Sequence, residues 1–382
     1  MKEFLASIHD ELVEWRHDFH RFPEMAFQEE RTSKLVAERL ADMGIEVRTG
    51  LAKTGVVGTL RKGNSDRIIG LRADMDALPI VEANDVEYIS QNDGVMHACG
   101  HDGHTTMLLG AARYLAEKGS FDGTIHFIFQ PAEENEGGAR VMIDEGLFDE
   151  FPCQRVYGLH NMPGLDQDSF AMREGPLMAA FDKFEITVTG RGAHAAMPHR
   201  GIDPFVVSAE IIGALQSIVA REVDPMKNAV ISVTQISGGD TWNVIPDTVV
   251  MRGCTRSFLP RVQTLLEASM RRLAEGIASA HGATAELWYE RGYPPTVNTA
   301  DEVRIAGDVA SRVVGAEKVD RDAEAMMGSE DFAFMLQKKP GAYVLLGAGP
   351  GAMVHNAHYD FNDEILDTGA AYWASLAEHE LS

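Results

Sequence analysis

The 382-residue chain has only three cysteines, Cys99, Cys153 and Cys254. An odd, widely separated set argues against a disulfide framework and for a reducing compartment, the cytoplasm. Basic residues are scarce as well, with 34 Lys and Arg against 58 Asp and Glu for a formal net charge of -24. Such a charge repels phosphate backbones and anionic bilayers, so neither nucleic acid nor a membrane is expected as a partner. No apolar run is expected to approach the length of a bilayer-spanning helix, and Met1-Lys2-Glu3-Phe4 reads as the start of an amphipathic helix rather than a signal peptide. Internal repeats, low-complexity tracts and Pro-rich linkers are absent too. What remains is an ordinary globular composition, 45% hydrophobic and 24% charged, at a length that suggests about two domains.

Against this background one stretch stands out, His97-Ala98-Cys99-Gly100-His101-Asp102-Gly103-His104. Three histidines and a cysteine fall within one octet, broken by glycines that allow tight backbone turns. Cys99 and His101 are two apart, so a helix would point them to different sides, and a Gly-containing loop is the expected setting for a shared ligand. Thiolate plus imidazole suits zinc and its late first-row neighbours, and the extra histidines leave room for a second ion or for groups that support the ligands.

The chain around the octet alternates helices and strands. Apolar spacing predicts helices from Lys2 to about His20 and from about Glu29 to Met43, the latter stopped by Gly44. Strands are expected at Ile45 to Arg48, Gly55 to Arg61 and Arg67 to Ala73, a helix from Thr105 to about Lys118, and a strand from Thr124 to Gln130 that runs into Pro131-Ala132-Glu133-Glu134. A strand from Arg155 to Leu159 delivers His160, and one from Ala342 to Leu346 leads toward His355. Polar groups thus sit past the C-terminal ends of several strands, where ligand sites lie in open α/β sheets. Between about Leu177 and Glu290 the order is strand, helix, strand, strand, helix, strand, the ferredoxin-like βαββαβ unit. The expected architecture is an α/β mixed-sheet catalytic domain with helices on both faces (1–177 and 293–382) and an inserted ferredoxin-like lid and dimerisation domain (178–292).

Paired Glu133 and Glu134 at a strand end can divide labour, one holding a metal and the other moving the proton of an attacking water. A solvated acidic turn is the competing reading, since Glu is mostly a surface residue.

The runs Arg72 to Pro79, His97 to His104, Gln130 to Glu134, Gly192-Ala193-His194-Ala195-Ala196, Asn243 to Asp247 and Gly328 to Phe332 together resemble the dimetal amidohydrolases related to aminoacylase and carboxypeptidase G. The branch they resemble is that of hippurate hydrolase and the plant auxin-amino-acid conjugate hydrolases. That resemblance implies two divalent ions per subunit (zinc, manganese, cobalt or nickel), held by Cys99, His101, Glu134, His160 and His355, with Glu133 as general base. His355 matches the family position better than nearby His358, although spacing alone does not choose between them. The wider family usually has a histidine ligand where Arg72 stands here, so Asp74 is expected to support the ligands rather than bind metal. In the lid, His194 matches the histidine that polarises the scissile carbonyl, commonly in the partner subunit, and Asn243 and Arg256 match positions that hold the substrate's carbonyl or carboxylate.

The expected activity is hydrolysis of an N-acyl-L-amino acid to a carboxylic acid and a free amino acid by a cytoplasmic homodimer. Two rivals remain at this stage. One is a metallo-dipeptidase or carboxypeptidase; the other is a metal- or amino-acid-binding protein without catalysis, against which the intact Glu133 beside Glu134 speaks because a closed structural site needs no general base.

Overall fold

Leu5, Ile8, Leu12 and Phe19 recur at helical spacing, and all four are buried in the helix Lys2–Arg21. The computed structural model describes residues 1–382 and divides them into two units, Met1–Leu177 with Thr296–Glu324 and Asp331–Ser382, and Met178–Pro295 with Ala325–Glu330. The short segment 325–330 belongs with the second unit because Ala179 N donates to the carbonyls of Met326 and Gly328, at 3.1 and 2.8 Å. Its place there departs from the simple insertion expected.

The first unit holds an eight-stranded mixed sheet in the order Glu46–Leu51, Gly55–Lys62, Gly123–Gln130, Ile68–Asp74, Arg155–Met162, Gly341–Gly347, Phe170–Ala171, Val319–Asp320. Its four central strands, from Gly123–Gln130 to Gly341–Gly347, run parallel. Every residue of Gly123–Gln130 and of Gly341–Gly347 is buried, as strands covered on both faces must be. The helices Lys2–Arg21, His101–Glu117 and Leu366–Glu380 pack on one another. Parallel strands share one C-terminal edge, and that edge positions the site.

Two expectations need correction. The helix after the octet begins at His101, not at Thr105, because Gly100 enters the left-handed region with φ 92 and lets the chain turn straight into the helix. His101 and His104 therefore share one face, three residues apart. Helix Pro204–Arg221 is 18 residues long and apolar enough, by length and composition, to cross a membrane, contrary to the expectation that no run reaches that length. It sits in the second unit, where Val207, Ile211, Leu215 and Ile218 pack into that unit's own core.

The second unit is built on an antiparallel sheet in the order Ala229–Ser237, Thr248–Ser257, Ala180–Thr189, Thr284–Tyr293, with helices Pro204–Arg221 and Pro260–Ala280. That is the βαββαβ order read from the sequence. Asp203 caps the first of these helices, its side chain accepting from Phe205 N, with Pro204 at the first helical position.

Candidate metal centre

Five donor residues expected from different parts of the chain meet at the C-terminal edge of the parallel strands. The ligand atoms of Cys99, His101 and His160 lie within 4.8 Å of one another, as do those of Cys99, Glu134 and His355 and those of His101, Glu133 and Glu134. These groups overlap through shared residues. His358 is exposed and joins none of them.

The imidazoles are pre-oriented. His101 Nδ1 lies 2.8 Å from the carbonyl oxygen of Asp76 and His160 Nδ1 2.5 Å from that of Asn161. A carbonyl only accepts, so each Nδ1 carries a proton, and Nε2 is the nitrogen that can offer a lone pair to a metal, on His101 after losing the proton its carboxylate neighbours favour. His101 Nε2 is buried with no hydrogen-bond partner, while His160 Nε2 lies 3.3 Å from Cys99 Sγ. Ring N–H tied to a backbone carbonyl and the other nitrogen turned to a shared space is how metal-binding histidines are held. His355 reaches the same space from the loop after the strand Gly341–Gly347. Its backbone is left-handed, with φ 65, its N–H donates to Ala98 O at 2.7 Å, and its Nε2 lies 3.0 Å from Glu134 Oε1.

The electrostatics are those of a site with excess negative charge. Burial pushes the Cys99 thiol far up, and Glu134, Glu133 and Asp74 push it further. Burial works against a charged His101, yet Asp74 and Asp76 raise it to about 10. Both shifts reverse when cations share the space, because cations favour thiolate and displace the imidazole proton. Burial and His104 hold His160 well below its ordinary range, so that ring stays neutral. The donor set, one thiol, imidazoles and carboxylates around an orphaned buried Nε2, fits divalent metal ions.

Asp74 is buried beneath this space. Arg72 Nη1 donates to its Oδ2 at 2.7 Å, and His104 Nδ1 lies 2.6 Å from its Oδ1. Asn161 donates to His104 Nε2 from both its backbone and its amide, each at 3.0 Å, so the His104 proton sits on Nδ1 and points at Asp74. Burial opposes ionisation of Asp74, but its interactions with His101 and Arg72 and the hydrogen bond from His104 hold it well below the carboxylate range. Arg72 also donates to Gln130 Oε1 at 2.8 Å and to Asp331 Oδ1 at 3.0 Å. His97, the remaining histidine of the octet, joins no donor group, and burial lowers it to about 4.

Sequence reasoning passed over Asp76, which orients His101 and accepts from Glu134 N at 2.9 Å through its own Oδ2. Its signal was present in the run Arg72 to Pro79. Asn161 was also missed, since an amide beside His160 has no sequence signature.

His194, Asn243 and Arg256 lie in the second unit. His194 is exposed on a two-stranded ribbon with Val244 as its partner, and Ala195 N donates to Asn243 O at 2.9 Å, so His194 and Asn243 belong to one local structure. Ala196 N donates to His194 Nδ1 at 3.1 Å, leaving the proton on Nε2. Half-buried Arg256 lies over the ring of Phe181 at 4.2 Å and donates to Ser329 Oγ at 3.1 Å.

Comparison with known proteins agrees with the family read from the motifs. The profile of peptidase family M20/M25/M40 matches residues 70–379. The chain is 42% identical over 373 residues to hippurate hydrolase of Campylobacter jejuni, covering 98% of this chain and 97% of that protein. It is 38% identical to N-acetylcysteine deacetylase of Bacillus subtilis, covering 97% of each. Among solved structures, a dinuclear metal-binding peptidase of the M20 family from Bacillus subtilis superimposes with a TM-score of 0.86 at 36% identity, over 98% of this chain and 99% of that one.

Proposed function

The chain belongs to peptidase family M20/M25/M40, and from that premise we propose that it hydrolyses the amide bond of N-acyl-L-amino acids with the help of two divalent metal ions. The observation that carries this reading is the convergence of two buried imidazoles, each with Nδ1 tied to a carbonyl, on one thiol and two carboxylates. Cys99, His101, Glu134, His160 and His355 would hold the ions, drawn from zinc, manganese, cobalt or nickel. When bound, such ions would supply Lewis-acid polarisation of the carbonyl and bring the pKa of a water down to about 7 in the most favourable cases.

Glu133 takes the proton from the attacking water and returns it to the leaving amine nitrogen. Asp74, held ionised by Arg72 and His104, supports the histidines from beneath without binding metal itself. His194, with its proton on Nε2, is the donor to the developing oxyanion, and Asn243 and Arg256 hold the carbonyl and carboxylate of the substrate. The lid and dimerisation role of the second unit, a homodimer in which His194 serves the partner's centre, and a cytoplasmic setting complete the reading. Three unpaired cysteines support that setting.

Amine release from N-acetyl- and N-benzoyl-L-amino acids and matched dipeptides, measured on metal-stripped protein with and without added manganese, cobalt, nickel or zinc, tests this. Turnover of N-acyl substrates only with metal is expected. Preference for dipeptides would move the assignment to a peptidase, and silence with two metals bound would move it to a binding protein.

A further inference from the structure

The turn that carries Glu133 and Glu134 is held in a backbone conformation that its residues do not favour. Ala132 has φ 54 and Asn135 φ 67. A left-handed non-glycine residue costs on the order of 1–3 kcal/mol and persists only where its surroundings impose it. Here Ala132 N donates to Glu29 Oε1 at 2.9 Å, and Gly138 N donates to Ala132 O at 2.8 Å.

Glu29 is fully buried, and it does more than cap one amide. Its Oε1 also accepts from Phe27 N at 3.0 Å, and its Oε2 from Thr54 Oγ1 at 2.6 Å. Phe27 is left-handed at φ 59, and Thr54 follows Ala52 and Lys53 at φ 48 and 69. Two distant segments, around Thr54 and Ala132, therefore meet Glu29's own segment on a single carboxyl group, each of the three with a left-handed non-glycine residue. Phe27, Lys53, Glu134 and Asn135 also line one cavity of about 480 Å³.

We propose that Glu29 is a positioning residue for the hydrolysis, fixing the Ala132 amide so that Glu133 is aimed for proton transfer while Glu134 stays among the metal donors. The proposal rests on the reading of Glu133 as general base. Burial pushes Glu29 up to about 7 against the Thr54 hydroxyl bond, with Asp76 adding to the rise and the backbone donors opposing it. A proton gained on Oε2 can be donated to Thr54 Oγ1, so the bond to Ala132 survives in either state. Glutamine can reproduce that neutral arrangement, with its oxygen toward the two backbone N–H groups and its amide nitrogen toward Thr54. Alanine cannot, and it leaves the buried Ala132 N–H and the half-buried Phe27 N–H without their acceptor.

Glu29→Ala should lower kcat about 100-fold, the scale of a misplaced catalytic group, with KM within about threefold and two metal ions retained. Glu29→Gln should restore kcat to within about threefold of wild type. A Glu29→Ala kcat near wild type overturns the proposal, and so does a loss that follows metal content or unfolding. A Glu29→Gln variant as impaired as Glu29→Ala also overturns it, because the acceptor would then not be what matters. If Glu29→Ala does not fold, Thr54→Val carries the test: kcat several-fold lower at unchanged KM and metal content supports the proposal, and unchanged kcat overturns it. Glu133→Gln in parallel separates the two levels. Turnover surviving in Glu133→Gln removes the general-base reading itself, whereas a dead Glu133→Gln beside a fully active Glu29→Ala removes only the positioning role.

Discussion

His20 lies fully buried between two carboxylates, its Nδ1 2.8 Å from Asp102 Oδ2 and its Nε2 3.1 Å from Glu82 Oε1. Asp102 sits directly after His101, a proposed metal ligand, and Arg16 Nη1, also buried, lies 3.8 Å from the same carboxylate. Burial opposes a charged His20, but hydrogen bonds to Asp102 and Glu82 raise it to about 9. Its folded pKa is thus above the ordinary 6.5, so its contribution to stability is fully present below 6.5 and is lost as pH rises through 9. The stability gap between wild type and His20→Gln should shrink by about 3 kcal/mol from pH 6 to pH 10. Urea unfolding at several pH values reads this gap, and one that stays constant or widens with pH contradicts the assignment. The histidines and carboxylates of the octet were visible in the sequence as chemistry. Which of them bind and which support was not visible, since the tautomers of His101 and His104 depend on the Asp76 carbonyl and on Asn161, both well separated in the chain, and that of His160 on how the adjacent Asn161 carbonyl is turned.

At the scale of elements, the helix His101–Glu117 ties the site to the core. It is buried on nearly every side, so small residues mark where neighbours come closest. A Cβ on Gly103 would stand 2.1 Å from Cε2 of Phe361. Gly103→Ala should destabilise the fold by about 1–3 kcal/mol, as overpacked cores do, and weaken metal retention because His101 and His104 flank it. Chemical denaturation together with metal analysis checks both, and a variant as stable as wild type would mean that the Phe361 ring yields freely. Strong periodicity made this helix and most strands legible from sequence. Its true start was misplaced because the left-handed turn at Gly100 is a property of backbone packing, with Asn161 and Tyr359 crowding that glycine.

At the scale of the whole molecule, the proposed assembly makes a distinctive prediction. Glu133→Ala keeps an intact His194, and His194→Ala keeps an intact centre. If His194 serves the partner subunit, unfolding and refolding the two inactive variants together should recover about a quarter of wild-type turnover, since half the dimers are mixed and each has one competent site. Recovery of nothing, with mixed dimers shown by sedimentation, would place His194 in its own subunit or outside the reaction.

The α/β class, the βαββαβ unit and the family were fixed in the chain alone, because periodicity and ordered motifs are local properties; the proposed ligand set followed from the resemblance those motifs carry. Tertiary structure alone decided three further matters. The convergence of Cys99, His101, Glu134, His160 and His355 depends on parallel strands sharing one edge. Proton positions on the histidines depend on which carbonyls face them. The role of Glu29 depends on two distant left-handed segments, around Thr54 and Ala132, meeting at one buried carboxyl, a long-range contact that no local pattern encodes.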